Sequence, residues 1–269
     1  SGAAFERIDN RVLSLRLVQL GLTGAAMFSA DGRVLQPSEA LRKRRLLVQR
    51  GRFRPVTHVN IDMLRCAQDQ FDGLCENHDD DVLSIMEISM HNLREDTEVC
   101  LEDFVSRADV ISTTGCVVMI SDFQEYHRLA AYLNRYTGRT IGLAMGLTGL
   151  ESLFDEQYYK DLDGGLLESF GRLFKEQVKL LVYPRKDSAT QRIDTLDNLV
   201  LADSRQHLLQ YLQARGFIVA LDDAALEYLD IHSPEVLQMI ASGRSEWTSM
   251  VPECVARMIK SQRLFGYAG

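Results

Sequence analysis

Between Gly115 and Gly146 the alternation of apolar and polar positions changes period twice, and the two changes outline a strand–helix–strand unit. Residues 116–120 form an unbroken apolar run, as expected of a strand covered on both faces. From Phe123 to Tyr136 the spacing is helical, with Phe123, Tyr126, Leu129, Ala130 and Leu133 on one face. Gly138 stops that helix, and Thr140 to Met145 is a second apolar strand. A helical crossover between two such strands requires them to run parallel.

The same reading along the chain predicts an amphipathic helix from Asp9 to Leu22 and a short strand from Ala25 to Phe28, with a tight turn at Asp31-Gly32. It predicts further strands near Leu46 to Val48, Val56 to Met63 and Ser84 to Met90, a helix from Leu101 to Ile111, and a strand from Val178 to Tyr183 ended by Pro184. Helical spacing from Leu150 to Glu176 is broken at Gly164-Gly165. Strands separated by helices predict an α/β fold with a mainly parallel sheet and helical crossovers, either doubly wound or part of a βα barrel. The expected domain spans 1–184, followed by a polar linker at 185–195 and a smaller, mainly helical carboxyl-terminal region at 196–269. In that region Ser233-Pro234-Glu235 is a helix start.

Composition narrows the function classes. At 269 residues, 46% hydrophobic and 25% charged, the chain reads as a globular protein with ample core. No apolar run reaches membrane-spanning length and no signal peptide is visible, so no membrane association is expected. Five cysteines without a CxxC pair argue for a reducing cytoplasm rather than a disulfide framework or zinc ribbon. A net charge of −8 argues against general nucleic-acid binding.

Two strands expected at 58–64 and 85–93 resemble each other faintly, and their alternation places chemistry on one face of each. His58, Asn60 and Asp62 share a face of the first; Glu87, Ser89 and His91 share a face of the second. With Ser121 and Asp122 at the end of the next strand, they outline a crevice at strand carboxyl ends, where open α/β sheets bind ligands. Asp62 and Glu87 are the expected acid–base groups or ligands of a divalent metal, with His91 and Asp122 beside them and Asn60, Ser89 and Ser121 lining the site. Between residues 42 and 54 the chain carries Arg42, Lys43, Arg44, Arg45, Arg50, Arg52 and Arg54 without an acidic residue. Arg52 and Arg54, just ahead of an expected strand, are the candidates to hold an anionic group. The stretch FDEQYYKDLDGG (154–165) is placed to cover a site, with Gly164-Gly165 as a hinge. His78 with Asp79, Asp80 and Asp81 reads as a solvated polar loop. Neither GxGxxG nor GxxxxGK[ST] occurs.

Two resemblances follow from longer stretches. VVMISD (117–122) and AMFSADGRV (26–34) resemble strand motifs of haloacid-dehalogenase-like phosphatases, but Ser29 stands where that chemistry needs its aspartate nucleophile. NRVLSLRLVQLGLTGAAMFSADGRVLQPSE (10–39), GRFRPVT (51–57), EYHRLAAYLNRYTGRTIGLAMG (125–146), FDEQYYKDLDGGLLESFGRLFK (154–175) and MVPECVARMIKSQRLFGY (250–267) together resemble the carboxyl-terminal half of a bacterial cytosolic family. Its members carry the labels nicotinate-nucleotide adenylyltransferase and TonB-dependent receptor. The second label fits no outer-membrane strand pattern in this chain. The first implies HxGH and ISTxxR motifs; the chain has no HxGH, and ISTTGC (111–116) has Cys116 where the arginine belongs. The resemblance implies an enzyme or binding protein for a phosphorylated or nucleotide-like small molecule, partnered by an amino-terminal half. The competing expectation is an interaction or self-association domain presenting Trp247, Met250, Leu264, Phe265 and Tyr267.

Overall fold

The computed structural model describes residues 9–74, 81–95, 98–175 and 177–269. Eight strands form the main sheet: β1 (Ala25–Phe28), β2 (Val34–Leu35), β3 (Arg45–Arg50), β4 (Val82–Ser89), β5 (Val117–Ser121), β6 (Ile141–Gly146), β7 (Val178–Tyr183) and β8 (Ile218–Ala220). Their order across the sheet is β8-β7-β6-β3-β4-β5-β1-β2. The six strands from β8 to β5 are parallel, and β1 runs antiparallel to both β5 and β2. The chain therefore leaves β3 toward one edge through β4 and β5, then crosses back to β6 on the other side of β3. The fold is a doubly wound α/β sheet with free edges, and the barrel alternative falls.

The strands form because their residues bury both faces. In β3, Leu46, Leu47 and Val48 are each at most 1% exposed, with Leu47 in one core layer and Leu46 and Val48 in the other. Helices α1 (Asn10–Gln19), α3 (His58–Phe71) and α5 (Leu101–Ser112) cover the first face. The second is covered by α6 (Tyr126–Thr137), α7 (Leu147–Leu153), α8 (Gly165–Leu173) and α9 (Asp203–Ala214). Two single turns, α2 (Pro37–Ala40) and α4 (Met90–Leu93), complete this part of the chain. Gly138 caps α6 in the left-handed conformation at φ 59°, where a Cβ would be strained.

The segment 58–64 is a helix, not a strand, and the reason is local. Thr57 and Asn60 form a reciprocal capping box that starts α3. The apparent alternation from His58 to Leu64 hides a helical stripe, Met63, Leu64, Cys66, Ala67 and Phe71, which buries against the sheet. The expected strand through His91 also stops early. β4 ends at Ser89, and Met90–Leu93 is a helical turn, so His91 leaves the face of Glu87 and Ser89.

After Tyr183 the chain stays on the same body. Arg185–Lys186 and Ile193–Asp194 pair antiparallel, and Ile218–Ala220 adds β8 in register with Leu180–Val182. Helices α10 (Ser233–Ala241) and α11 (Glu253–Gln262) pack onto the first core layer, where Val236, Ile240, Val255 and Ile259 join the apolar cluster that contains Phe104 and Ile111 of α5. The residues expected to present a docking surface are part of that packing. Trp247 is 1% exposed, and Met250, Leu264, Phe265 and Tyr267 are half-buried against the core. Among the described residues, no helix is long and apolar enough to cross a membrane.

This packing makes Trp247→Ala costly: about 3–5 kcal/mol of stability should be lost in urea unfolding, the usual range for emptying a buried aromatic site. Trp247 is the only tryptophan, so circular dichroism is the suitable probe. A loss below about 1 kcal/mol would show that the carboxyl-terminal helices do not share the cooperative core.

Candidate functional site

All six parallel strands end on one edge of the sheet, and one side chain ties three of those ends together. Arg50, the last residue of β3, lies in register with Glu87 of β4. Its Nε donates to Glu87 Oε2 at 2.6 Å and its Nη2 to Oε1 at 3.2 Å. Glu87 is fully buried, and Ser121 of β5 donates its hydroxyl to Oε1 as well. The remaining Arg50 donors reach the carbonyls of Phe123 at 2.8 Å and Gln124 at 2.7 Å, in the loop between β5 and α6. The guanidinium also sits 4.6 Å from the Tyr126 ring centroid, a cation–π contact. Burial works against the Arg50 charge, but Glu87 and Tyr126 more than offset it, and its pKa rises above the ordinary guanidinium value.

A second buried network fixes the loop after β3. Arg54 and Arg107 share one carboxylate: Arg54 Nε lies 2.7 Å from Asp103 Oδ1, and Arg107 pairs with Oδ2. Arg107, on α5 and 2% exposed, donates to the carbonyl of Arg52 at 3.2 Å and that of Asn92 at 2.8 Å. Burial lowers the Arg107 pKa; Asp103 raises it, and nearby Arg54 and Arg52 lower it further, for a net depression.

Above these networks opens a cleft of ≈330 Å³ at the carboxyl ends of β3, β4 and β5. Arg50, Gly51 and Arg52 line one part, Ser89 and His91 another, and Gln124 and Tyr126 a third. Tyr158 and Tyr159, from the 154–165 stretch, close the side beyond α7. A smaller hollow of ≈190 Å³ shares Ser89, His91 and Gln124 and adds Asp122 and Arg128. Arg52 is exposed and has no carboxylate partner among the described residues. Gly51 is required where it stands, since a Cβ there would lie 2.9 Å from the Phe53 ring.

The sequence-predicted residues divide three ways. Arg52, Ser89 and His91 line the cleft, and Asp122 is exposed in the adjoining hollow. Glu87, Ser121 and Arg54 lie in the buried networks beneath it. Asp62 and Asn60 are elsewhere, because the segment carrying them is helix α3. Asn60 accepts the Thr57 amide at 2.9 Å as a cap. Asp62, 5% exposed, accepts from the Tyr183 hydroxyl at 2.6 Å, the Ala225 amide at 2.8 Å and Arg65 Nη2 at 2.8 Å. Asp62, Glu87 and Asp122 therefore share no common cleft. Of the polar loop, residues 75–80 lie outside the described residues, and Asp81 pairs with Arg44 at 3.6 Å. Among the described residues, no group of three or more His, Cys, Asp or Glu is placed to hold a metal ion. Reading the sequence by faces missed Arg50, Gln124, Tyr126 and Arg107. The available signal for Arg50 was its place at the end of an apolar run, level with Glu87 once the strands are paired.

No protein-family model matches the chain, and no curated protein matches it. Among solved structures, it is similar to the nicotinic acid mononucleotide adenylyltransferase of Plasmodium falciparum complexed with APC, with a TM-score of 0.43 and 10% identity over 83% of this chain and 98% of that one. It is also similar to a proposed nicotinate-nucleotide adenylyltransferase from Vibrio parahaemolyticus, with a TM-score of 0.33 and 11% identity over 83% of this chain and 96% of that one.

The two carboxylates expected to do chemistry instead carry structure, and their removal should show it. Glu87→Gln leaves Arg50 buried without its counter-charge and should cost about 3–5 kcal/mol in urea unfolding. Retention of full stability would mean that the network is dispensable. Burial raises the Asp62 pKa, but the bonds from Tyr183, Ala225 and Arg65 outweigh it and hold it below 3.8. Its folded-state pKa is thus depressed, so its contribution is complete above the unfolded value of about 3.9 and is lost as pH falls through the folded value. Acid titration of Asp62→Asn against the wild type should show a stability gap near neutral pH that narrows below about pH 4.

Proposed function

We propose that this protein binds a phosphorylated, ring-bearing small molecule, nucleotide-like in chemistry, in the cleft at the carboxyl ends of β3, β4 and β5. The observation that carries this reading is Arg52. It is an exposed guanidinium on the rim, with no carboxylate partner among the described residues, on a loop that Arg107 holds through the Arg52 carbonyl. An anion placed there gains a charge-assisted, bidentate partner. The supporting features are the strand order, which reverses beside β3 where doubly wound sheets bind ligands, and the tyrosines Tyr126 and Tyr158 in the lining. His91, Ser89 and Asp122 supply hydrogen-bonding groups around the ligand.

Adenylyl transfer, the activity named for the two similar structures, is the narrower reading. The turn from the first parallel strand into its helix holds Thr57, His58, Val59 and Asn60, without the histidine pair of HxGH. His58 is stacked on Tyr228 at 4.9 Å, and its amide donates to the Met250 carbonyl. Binding without that transfer is the reading this turn supports.

Isothermal titration with AMP and with nicotinic acid mononucleotide tests both readings. The wild type should bind at least one of them, and Arg52→Ala should weaken binding by about tenfold or more, while changing stability by no more than about 0.5 kcal/mol. Equal binding by wild type and Arg52→Ala would remove Arg52 from the site; no binding of either ligand would count against the proposal. Pyrophosphate release from ATP and nicotinic acid mononucleotide, sensitive to Arg52→Ala, would restore the transferase reading.

A further inference from the structure

The cleft does not end at His91. The hollow beside it shares Phe123 and Arg128 with a third, shallower groove of ≈450 Å³ on the outer side of α6, also lined by Gly24, Tyr132, Arg135 and Tyr136. Phe123, Tyr132 and Tyr136 form a ladder of rings, with centroids 5.0 Å and 5.2 Å apart. Gly24 lets the chain pass against that ladder, since a Cβ there would lie 2.7 Å from Phe123. Arg128 and Arg135 are two turns apart on one face of α6, and both are exposed. Among the described residues Arg128 has only a long carboxylate contact, 3.5 Å to Glu125, and Arg135 has no carboxylate partner.

We infer that the groove on α6 is a second subsite for a ring-bearing anion, continuous with the cleft, so that the ligand carries two such units joined by a linker. The inference rests on the reading of the cleft given above. From Tyr126, in the cleft, to Tyr136, at the far end of the groove, α6 advances by about 15 Å at its regular rise. Arg128 lines both the α6 groove and the hollow that adjoins the cleft. In the α6 subsite a planar ring lies against Tyr132 and Tyr136, and its anionic group lies between Arg128 and Arg135.

AMP and diadenosine tetraphosphate, as one-ended and two-ended probes, separate this inference from the reading beneath it. With the wild type, diadenosine tetraphosphate should bind at least tenfold more tightly than AMP, by a margin of roughly one charge-assisted contact. Arg135→Ala should remove most of that gain and leave AMP binding unchanged, whereas Arg52→Ala should weaken both. A thermal melt of Arg135→Ala checks the alternative that Arg135 merely complements the carboxyl-terminal end of the α6 dipole. That role would lower stability and leave the preference for the two-ended probe intact, which would overturn the second subsite. AMP binding with no gain from the two-ended probe overturns the α6 subsite alone. Binding of neither probe overturns the cleft reading and this inference with it.

Discussion

The Arg50–Glu87 pair is the interaction on which the functional end of the molecule depends. Taking two charges out of water costs several kcal/mol, and their attraction offsets this only where the remaining donors and acceptors are also satisfied. Here they are: Ser121 takes up part of Glu87, and two loop carbonyls take up the outer nitrogens of Arg50. The pair matters less for net stability than for geometry. It locks the register of β3 against β4 and holds the β5–α6 loop down on both, which fixes where the cleft opens. The Arg54–Asp103–Arg107 triad does the same for the loop after β3 from the other face of the sheet.

These two buried networks leave the site with a fixed frame and a free charge. Arg50, Arg54 and Arg107 are paired with protein carboxylates, and Arg52, on the loop after β3, is exposed. The doubly wound order supplies the opening, because connections diverge to opposite faces on either side of β3 and leave the strand ends uncovered there. The tyrosines of the 154–165 stretch then narrow that opening. On the other side of the same edge, the carboxyl-terminal segment closes over the start of α3 through Met250 and Tyr228.

Much of the fold was legible in the chain. Val117–Ser121, α6 with its glycine stop, and Ile141–Gly146 stand within three residues of where apolar runs and helical spacing put them, and the Val178–Tyr183 strand matches its run end to end. Tyr158 and Tyr159, from the stretch expected to cover a site, line the cleft. The site was less so. Seven residues from His58 to Leu64 alternate well enough to imitate a strand, and only the capping box and the stripe continuing to Phe71 distinguish a helix. That one misreading moved Asp62 and Asn60 into a cleft from which α3 withholds them. Glu87 was placed on the correct strand, but its neighbours determine its role, and those neighbours are 37 and 34 residues away in sequence.

By itself, then, the sequence determined the alternation of parallel strands and crossover helices, because that depends on local periodicity and on caps within a few residues. It also determined that arginines cluster around the end of β3. Only the tertiary structure decided which of them are neutralised. Whether an arginine is a buried tie or a free anion site depends on the carboxylates that strand register and helix packing bring to it. Arg50 and Arg52 are two residues apart and read alike in the chain. In a continued strand both would point to one side, but β3 ends at Arg50 and pairing with β4 brings it Glu87, while Arg52 lies past the last paired residue and receives no such partner.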